Sequence, residues 1–254
     1  DVSSNVCPSE LSGLFAGHEC GGSAVPFALE PRLTKELDSR GRVLLRFYRA
    51  VNLLYRKSAE GKQPEWIARW LDLGKPRELL ELQRAASFKN EVPRVIRPDL
   101  LLTEHGVSVT ELDSVPGGIG LTAWLNQTYA QAGFEVLGGA EGMLRGFANI
   151  FGESPAVRLV VSEESATYRP EMQWLCEQLG ARFTIHNSTF DNYQDGEAVY
   201  RFFELFDLAN VPNARTIFAL AAANRIRVTP PPKPVFEEKI DRKSTRLNSS
   251  HRIR

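Results

Sequence analysis

Arg97, Asp99, Glu111 and Asp113 are charged residues whose spacing lets them act together. The run from Val95 to Thr103 predicts one strand and the run from Val107 to Asp113 the next, with Glu104, His105 and Gly106 as a three-residue turn whose glycine takes the positive φ. Pairing across that turn sets Asp99 opposite Glu111 and Arg97 opposite Asp113. Because strand side chains alternate between faces, all four fall on one face. Three carboxylates converging beside one guanidinium repel one another unless a cation sits among them, and an all-oxygen donor set of this kind favours magnesium over zinc. A solvated hairpin face with a surface ion pair explains the same residues. Against it, Asp99 facing Glu111 is unfavourable without a counter-ion, and Leu100, Leu102 and Leu112 on the opposite face predict a hairpin anchored on a core. Pro98 marks the first strand as an edge, or its missing N–H as falling where no ladder bond is made.

A glycine-rich turn follows at once. Gly117, Gly118 and Gly120 let the backbone bend sharply and approach a ligand, and a helix starting near residue 119 is expected to aim free N–H groups back at the carboxylates. This is not a Walker loop, since no Gly-Lys-Ser/Thr follows, and it lacks the preceding crossover of a dinucleotide fingerprint. A turn that only redirects the chain is the plain alternative.

The order Arg-x-Asp, eleven residues, Glu-x-Asp resembles the magnesium and acyl-phosphate site of the glutathionylspermidine synthase-like, circularly permuted ATP-grasp ligases, a resemblance that extends over about residues 90 to 240. It implies an α/β fold, part of a permuted ATP-grasp core with a small open α/β domain preceding or interrupting it. It also implies an ATP-dependent carboxylate–amine ligase forming a peptide-like C–N bond, with small-molecule or peptide acids and amines as substrates. It implies that Arg97 would steady the acyl phosphate and that Asp99, Glu111 and Asp113 would hold Mg2+, while Gly117, Gly118 and Gly120, from their position beside Asp113, are candidate contacts for substrate or the phosphates of ATP. Asp113 stands where the family commonly has Asn, which keeps an oxygen ligand and adds a charge. The competing expectation is a non-catalytic α/β binding or scaffold protein, a degenerate relative of such synthetases.

The elements that position these residues are also legible. Residues 1–90 are expected to be mostly helical support. From Arg40 to Lys57, the residues Val43, Leu44, Phe47, Tyr48, Val51, Leu54 and Tyr55 recur at helical spacing, with the tyrosine hydroxyls expected at the margin of that face. Short helices are predicted after Pro64 and Pro76, with Gly74 as the stop between them and their tryptophans as core candidates. Residues 91–152 carry the carboxylate hairpin, the glycine turn and one short helix around 141–151. Residues 153–230 are expected to form the small open α/β domain, with strands at Val157 to Val161 and Arg182 to His186 flanking a helix that Gly180 terminates. A helix from Glu197 to Leu208, another from Thr216 to Asn224 and a strand from Arg225 to Thr229 complete it. Glu163, Glu164 and His186 are weak candidate contacts near the strand ends. The proline-rich segment 231–240 is expected to be an exposed junction, lysines included.

Residues 241–251 resemble the translation of a sequencing adapter, so the chain is expected to be a fragment with its remaining nucleotide-binding lysines beyond 240 and little activity of its own. The whole sequence has 31 basic and 31 acidic residues, and the last fourteen contribute five and one, so residues 1–240 carry 26 against 30. A weakly acidic body gives no support to a nucleic-acid partner. No apolar stretch is long enough to span a membrane. Cysteines at 7, 20 and 176 lack the paired spacing of a zinc site, and are expected to be free thiols in a reducing cytoplasm.

Overall fold

A parallel sheet and a separate hairpin organise the chain. The computed structural model describes residues 23, 25–104 and 106–237, so Cys7, Cys20, His105, Lys239 and the tail from 241 lie outside the described residues. In order, the elements are α1 (Pro31–Ala59), α2 (Glu65–Asp72), α3 (Arg77–Arg84), β1 (Arg97–Thr103), β2 (Gly106–Asp113), α4 (Ile119–Gln131), α5 (Gly142–Asn149), β3 (Val157–Val161), α6 (Arg169–Leu179), β4 (Phe183–Asn187), β5 (Ala198–Phe202), α7 (Ala214–Ala222) and β6 (Arg227–Thr229). The class is α/β, and no described helix is long and apolar enough to cross a membrane.

Strands β4, β3, β5 and β6 lie side by side in that order, all parallel. The two central strands, β3 and β5, are short, mostly apolar runs buried on both faces, as the helix cover of a parallel sheet requires. Val157, Leu159 and Val161 face a cluster that includes Ala123, Phe147 and Leu175, while Val160 faces Leu79, Ile217 and Phe218 on the other side. Alternate side chains thus feed two separate cores. Val115 and Ile119 belong to the first cluster, so residues on both sides of the expected boundary at 152/153 build one core.

The segment expected to be a helix from Glu197 to Leu208 is instead strand β5, followed by a short 3-10 turn at Leu205–Asn210. All five residues of β5 are buried. Burying each large apolar side chain contributes roughly 1.5–3 kcal/mol, against tenths of a kcal/mol separating ordinary helix propensities, so packing decides the conformation.

Helix α1 begins earlier than its periodicity suggests, with Pro31 in its first turn. It buries Leu44, Tyr48, Asn52, Tyr55 and Ser58 but leaves Val43, Phe47 and Leu54 exposed. The tyrosines are interior rather than marginal: Tyr48 and Tyr55 are 3% and 1% exposed. Trp66 and Trp70, expected in the core, are 62% and 73% exposed, because α2 turns Ala68 and Leu71 inward and carries the tryptophans on its outer side.

Candidate active site at the hairpin base

The hairpin forms with the expected register, Arg97 opposite Asp113 and Asp99 opposite Glu111. Gly106 has φ 126° and pairs with Thr103, so the connection is shorter than the three residues expected. A bulge between Asp99 and Leu100 places Leu100 opposite Val109 and lets the Thr110 hydroxyl donate to the Asp99 carbonyl at 3.1 Å. Only the base of the hairpin is anchored as expected. Leu112 and Ile96 pack against Tyr48 and Phe236, whereas Leu101 and Leu102 remain 58% and 60% exposed, because the distal half projects beyond that cluster.

Arg97 holds the base together. Its Nε lies 3.2 Å from Asp99 Oδ1, its Nη2 lies 3.3 Å from Asp113 Oδ2, and its Nη1 donates to the Gly117 carbonyl at 3.4 Å. The other oxygen of Asp113 accepts the Val115 N–H at 2.9 Å, fixing the start of the glycine turn. Arg97 and Asp99 are nearly half exposed, and such pairs contribute only about 0–1 kcal/mol. A bound anion or cation can therefore exchange with them at small cost.

The expected convergence of carboxylates is not found. Among the described residues, no three His, Cys, Asp or Glu side chains gather closely enough to hold a metal ion. Asp99, Glu111 and Asp113 fit a hard cation by their oxygen chemistry, but the Arg97 fork compensates two of them and Glu111 lies in solvent.

The glycine turn also differs from expectation. The Glu171 carboxylate, on α6 and 3% exposed, accepts the N–H of Gly118 at 2.7 Å and of Leu121 at 3.0 Å. The positive end of α4 is thus met by a side chain of the protein itself, and these N–H groups are not free for a phosphate. A Cβ on Gly117 would lie 2.2 Å from the Tyr168 ring, and one on Gly120 would lie 2.4 Å from the Glu171 carbonyl oxygen. Both therefore permit close packing against the start of α6. Gly118, at φ 85°, is different: its Cβ direction opens on empty space, so what it requires is the left-handed backbone rather than close packing.

Tyr168 links this turn to the sheet, since its ring packs edge-on to Phe202 at the end of β5. The order β4-β3-β5-β6 reverses direction between β3 and β5, and open α/β sheets place ligands at the carboxyl ends of such strands. The hairpin base therefore abuts the location where this architecture favours a site.

Residues 231–236 of the proline-rich segment are buried, contrary to their expected exposure. Phe236 packs edge-on to Tyr48, and Ser114 Oγ bridges the Tyr48 hydroxyl and the Phe236 carbonyl, each at 3.0 Å. Lys233 is 1% exposed, with Nζ 2.8 Å from Asn52 Oδ1 and 3.3 Å from the Lys89 carbonyl; burial, helped by the nearby Arg56 charge, lowers its pKa to about 8. Arg201 is fully buried, donates to the carbonyls of Pro230, Phe203 and Pro231, and pairs with Glu237. The segment packs down because its backbone carbonyls and Glu237 satisfy Arg201, while Asn52 and the Lys89 carbonyl satisfy its own Lys233.

Sequence reasoning missed Glu171 and Arg201, and placed Lys233 in solvent where it is buried. The single cation in the run Ala-Val-Tyr-Arg-Phe-Phe, and the lysine between prolines, were the available signals. Cys176 is a buried thiol with its pKa raised by burial to about 12, so it offers no nucleophile. No family model matches the chain, and no curated protein matches it.

Proposed function

We propose that the chain belongs to an ATP-dependent carboxylate–amine ligase of the circularly permuted ATP-grasp type, acting in the cytoplasm on small-molecule or peptide substrates. The observation that carries this reading is the register that puts Arg97, Asp99, Glu111 and Asp113 on one face at the hairpin base, with Arg97 reaching the glycine turn at the Gly117 carbonyl. Arg97 would exchange its exposed pairs for the anionic group of an activated carboxylate, as a guanidinium fork suits. Asp99, Glu111 and Asp113, which do not converge in this structure, would have to leave Arg97 and draw together to hold magnesium, which when bound would neutralise charge on phosphoryl oxygens. Asp113, tied to the Val115 N–H, is the most rigid of the three and sets the distance between hairpin and turn. No side-chain nucleophile is used.

A second reading, a non-catalytic α/β binding or scaffold protein, is favoured by one observation. Arg97 already compensates Asp99 and Asp113 from within the chain. The discriminating experiment measures ADP release by the full-length protein with candidate acids and amines supplied singly and together. The ligase reading expects release only with both, and a loss of at least about a hundredfold in Asp99→Asn or Glu111→Gln. Near-normal turnover in a folded variant contradicts the metal assignment, and no acid-and-amine-dependent release favours the scaffold.

A further inference from the structure

A second site lies away from the hairpin. Beside β5 and β6, a cavity of about 100 Å3 has Ser87, Glu91, Arg94, Asn224, Arg227 and Thr229 in its lining, with apolar residues such as Phe88 and Ile226 between them. Its polar lining is not used up internally. Thr229 is 7% exposed, and its hydroxyl has no hydrogen-bond partner among the described residues. A buried hydroxyl without a partner costs about 1–3 kcal/mol, so a ligand atom that satisfies it is favoured.

The charge balance points to the class of ligand. Arg227 donates through Nη2 to the Phe151 carbonyl at 2.7 Å and the Ser154 hydroxyl at 2.5 Å, and has no carboxylate partner among the described residues. Arg94 donates to the neighbouring Ile150 carbonyl at 3.1 Å, with Glu91 at 3.6 Å as a loose, half-exposed partner. These neutral carbonyls orient both guanidinium groups; among the described residues Arg227 keeps its charge uncompensated, and the half-exposed Glu91 compensates Arg94 only in part. The end of α7 does not oppose an anion with bare carbonyls, because those of Ala219, Leu220 and Ala221 accept the N–H groups of Ala223, Arg225 and Asn224. The volume admits a group of only a few heavy atoms.

We propose that this cavity binds one small oxyanion, a phosphate or a short carboxylate, between Arg94 and Arg227 with the Thr229 hydroxyl as its inner donor. The site is separate from the hairpin and stands whether or not the ligase reading holds.

The test is titration of the full chain with inorganic phosphate, acetate and chloride at matched ionic strength, followed by calorimetry and thermal unfolding. Saturable binding of phosphate, acetate or both is expected, with the stronger of the two naming the source, and chloride giving no comparable response. Arg227→Gln should weaken binding at least about tenfold, and Thr229→Val, which removes only the hydroxyl, several-fold. Arg94→Gln provides the same test should Arg227→Gln fail to fold. An equal response to all three salts marks general screening and overturns the proposal, as does binding that survives these substitutions unchanged.

Discussion

The Glu171 carboxylate accepts the Gly118 N–H at 2.7 Å, joining the glycine turn to a helix that starts fifty residues later. It also takes the Leu121 N–H, so one buried side chain caps α4 from outside. Glu171→Gln keeps the shape but removes the charge and one acceptor. It should destabilise the fold by about 1–3 kcal/mol in urea unfolding, an effect absent if the cap is dispensable.

The glycines of the turn should differ in tolerance. Gly120→Ala drives a Cβ against the Glu171 backbone, which cannot move independently, and should cost about 1–3 kcal/mol. Gly117→Ala drives a Cβ into the ring of Tyr168, which is 43% exposed and can yield by giving up its contact with Phe202, so its cost should be smaller than that of Gly120→Ala. Paired denaturation curves check the order.

Much of this region was legible in the sequence. Register followed from the alternation of charged residues and a glycine suited to positive φ, both local properties. The bulge at Asp99 and the exposure of Leu102 were not, because they depend on what the hairpin packs against. Strand β5 was misread as helix for the same reason: Val199, Tyr200 and Phe202 suit either state until neighbours on both faces decide. Glu171 could not be found from sequence, since acidic residues are common in a first helical turn and only the fold shows which N–H groups this one meets.

Lys233 makes stability depend on pH in a defined window. Its folded pKa of about 8 lies below the ordinary 10.5, so between these values the unfolded chain holds more protons and stability should rise with pH. For a lysine 1% exposed the full span is on the order of 3 kcal/mol. Lys233→Met should flatten the rise between pH 8 and 10 measured by urea unfolding. An unchanged slope would show that the buried ammonium is not its source.

His186 stacks on Phe190 with ring centroids 3.8 Å apart, and its Nε2 lies 2.9 Å from the Thr184 hydroxyl. Burial, then the charge of Arg158, lowers its pKa below the ordinary 6.5. The unfolded chain therefore takes up this proton first, and stability should fall as pH drops below 6.5. An NMR titration of the ring should give a midpoint below that value, and a midpoint above it would contradict the assigned environment.

The most direct test of the central claim uses Mn2+ as a paramagnetic substitute for magnesium, added with ATP to the isotopically labelled chain. Broadening of amide signals is predicted to centre on Arg97, Asp99, Glu111 and Asp113 and extend to Gly118, and to disappear in Asp99→Asn. Broadening centred elsewhere, or an unchanged pattern at the hairpin in that variant, would contradict a metal–nucleotide site at the hairpin base.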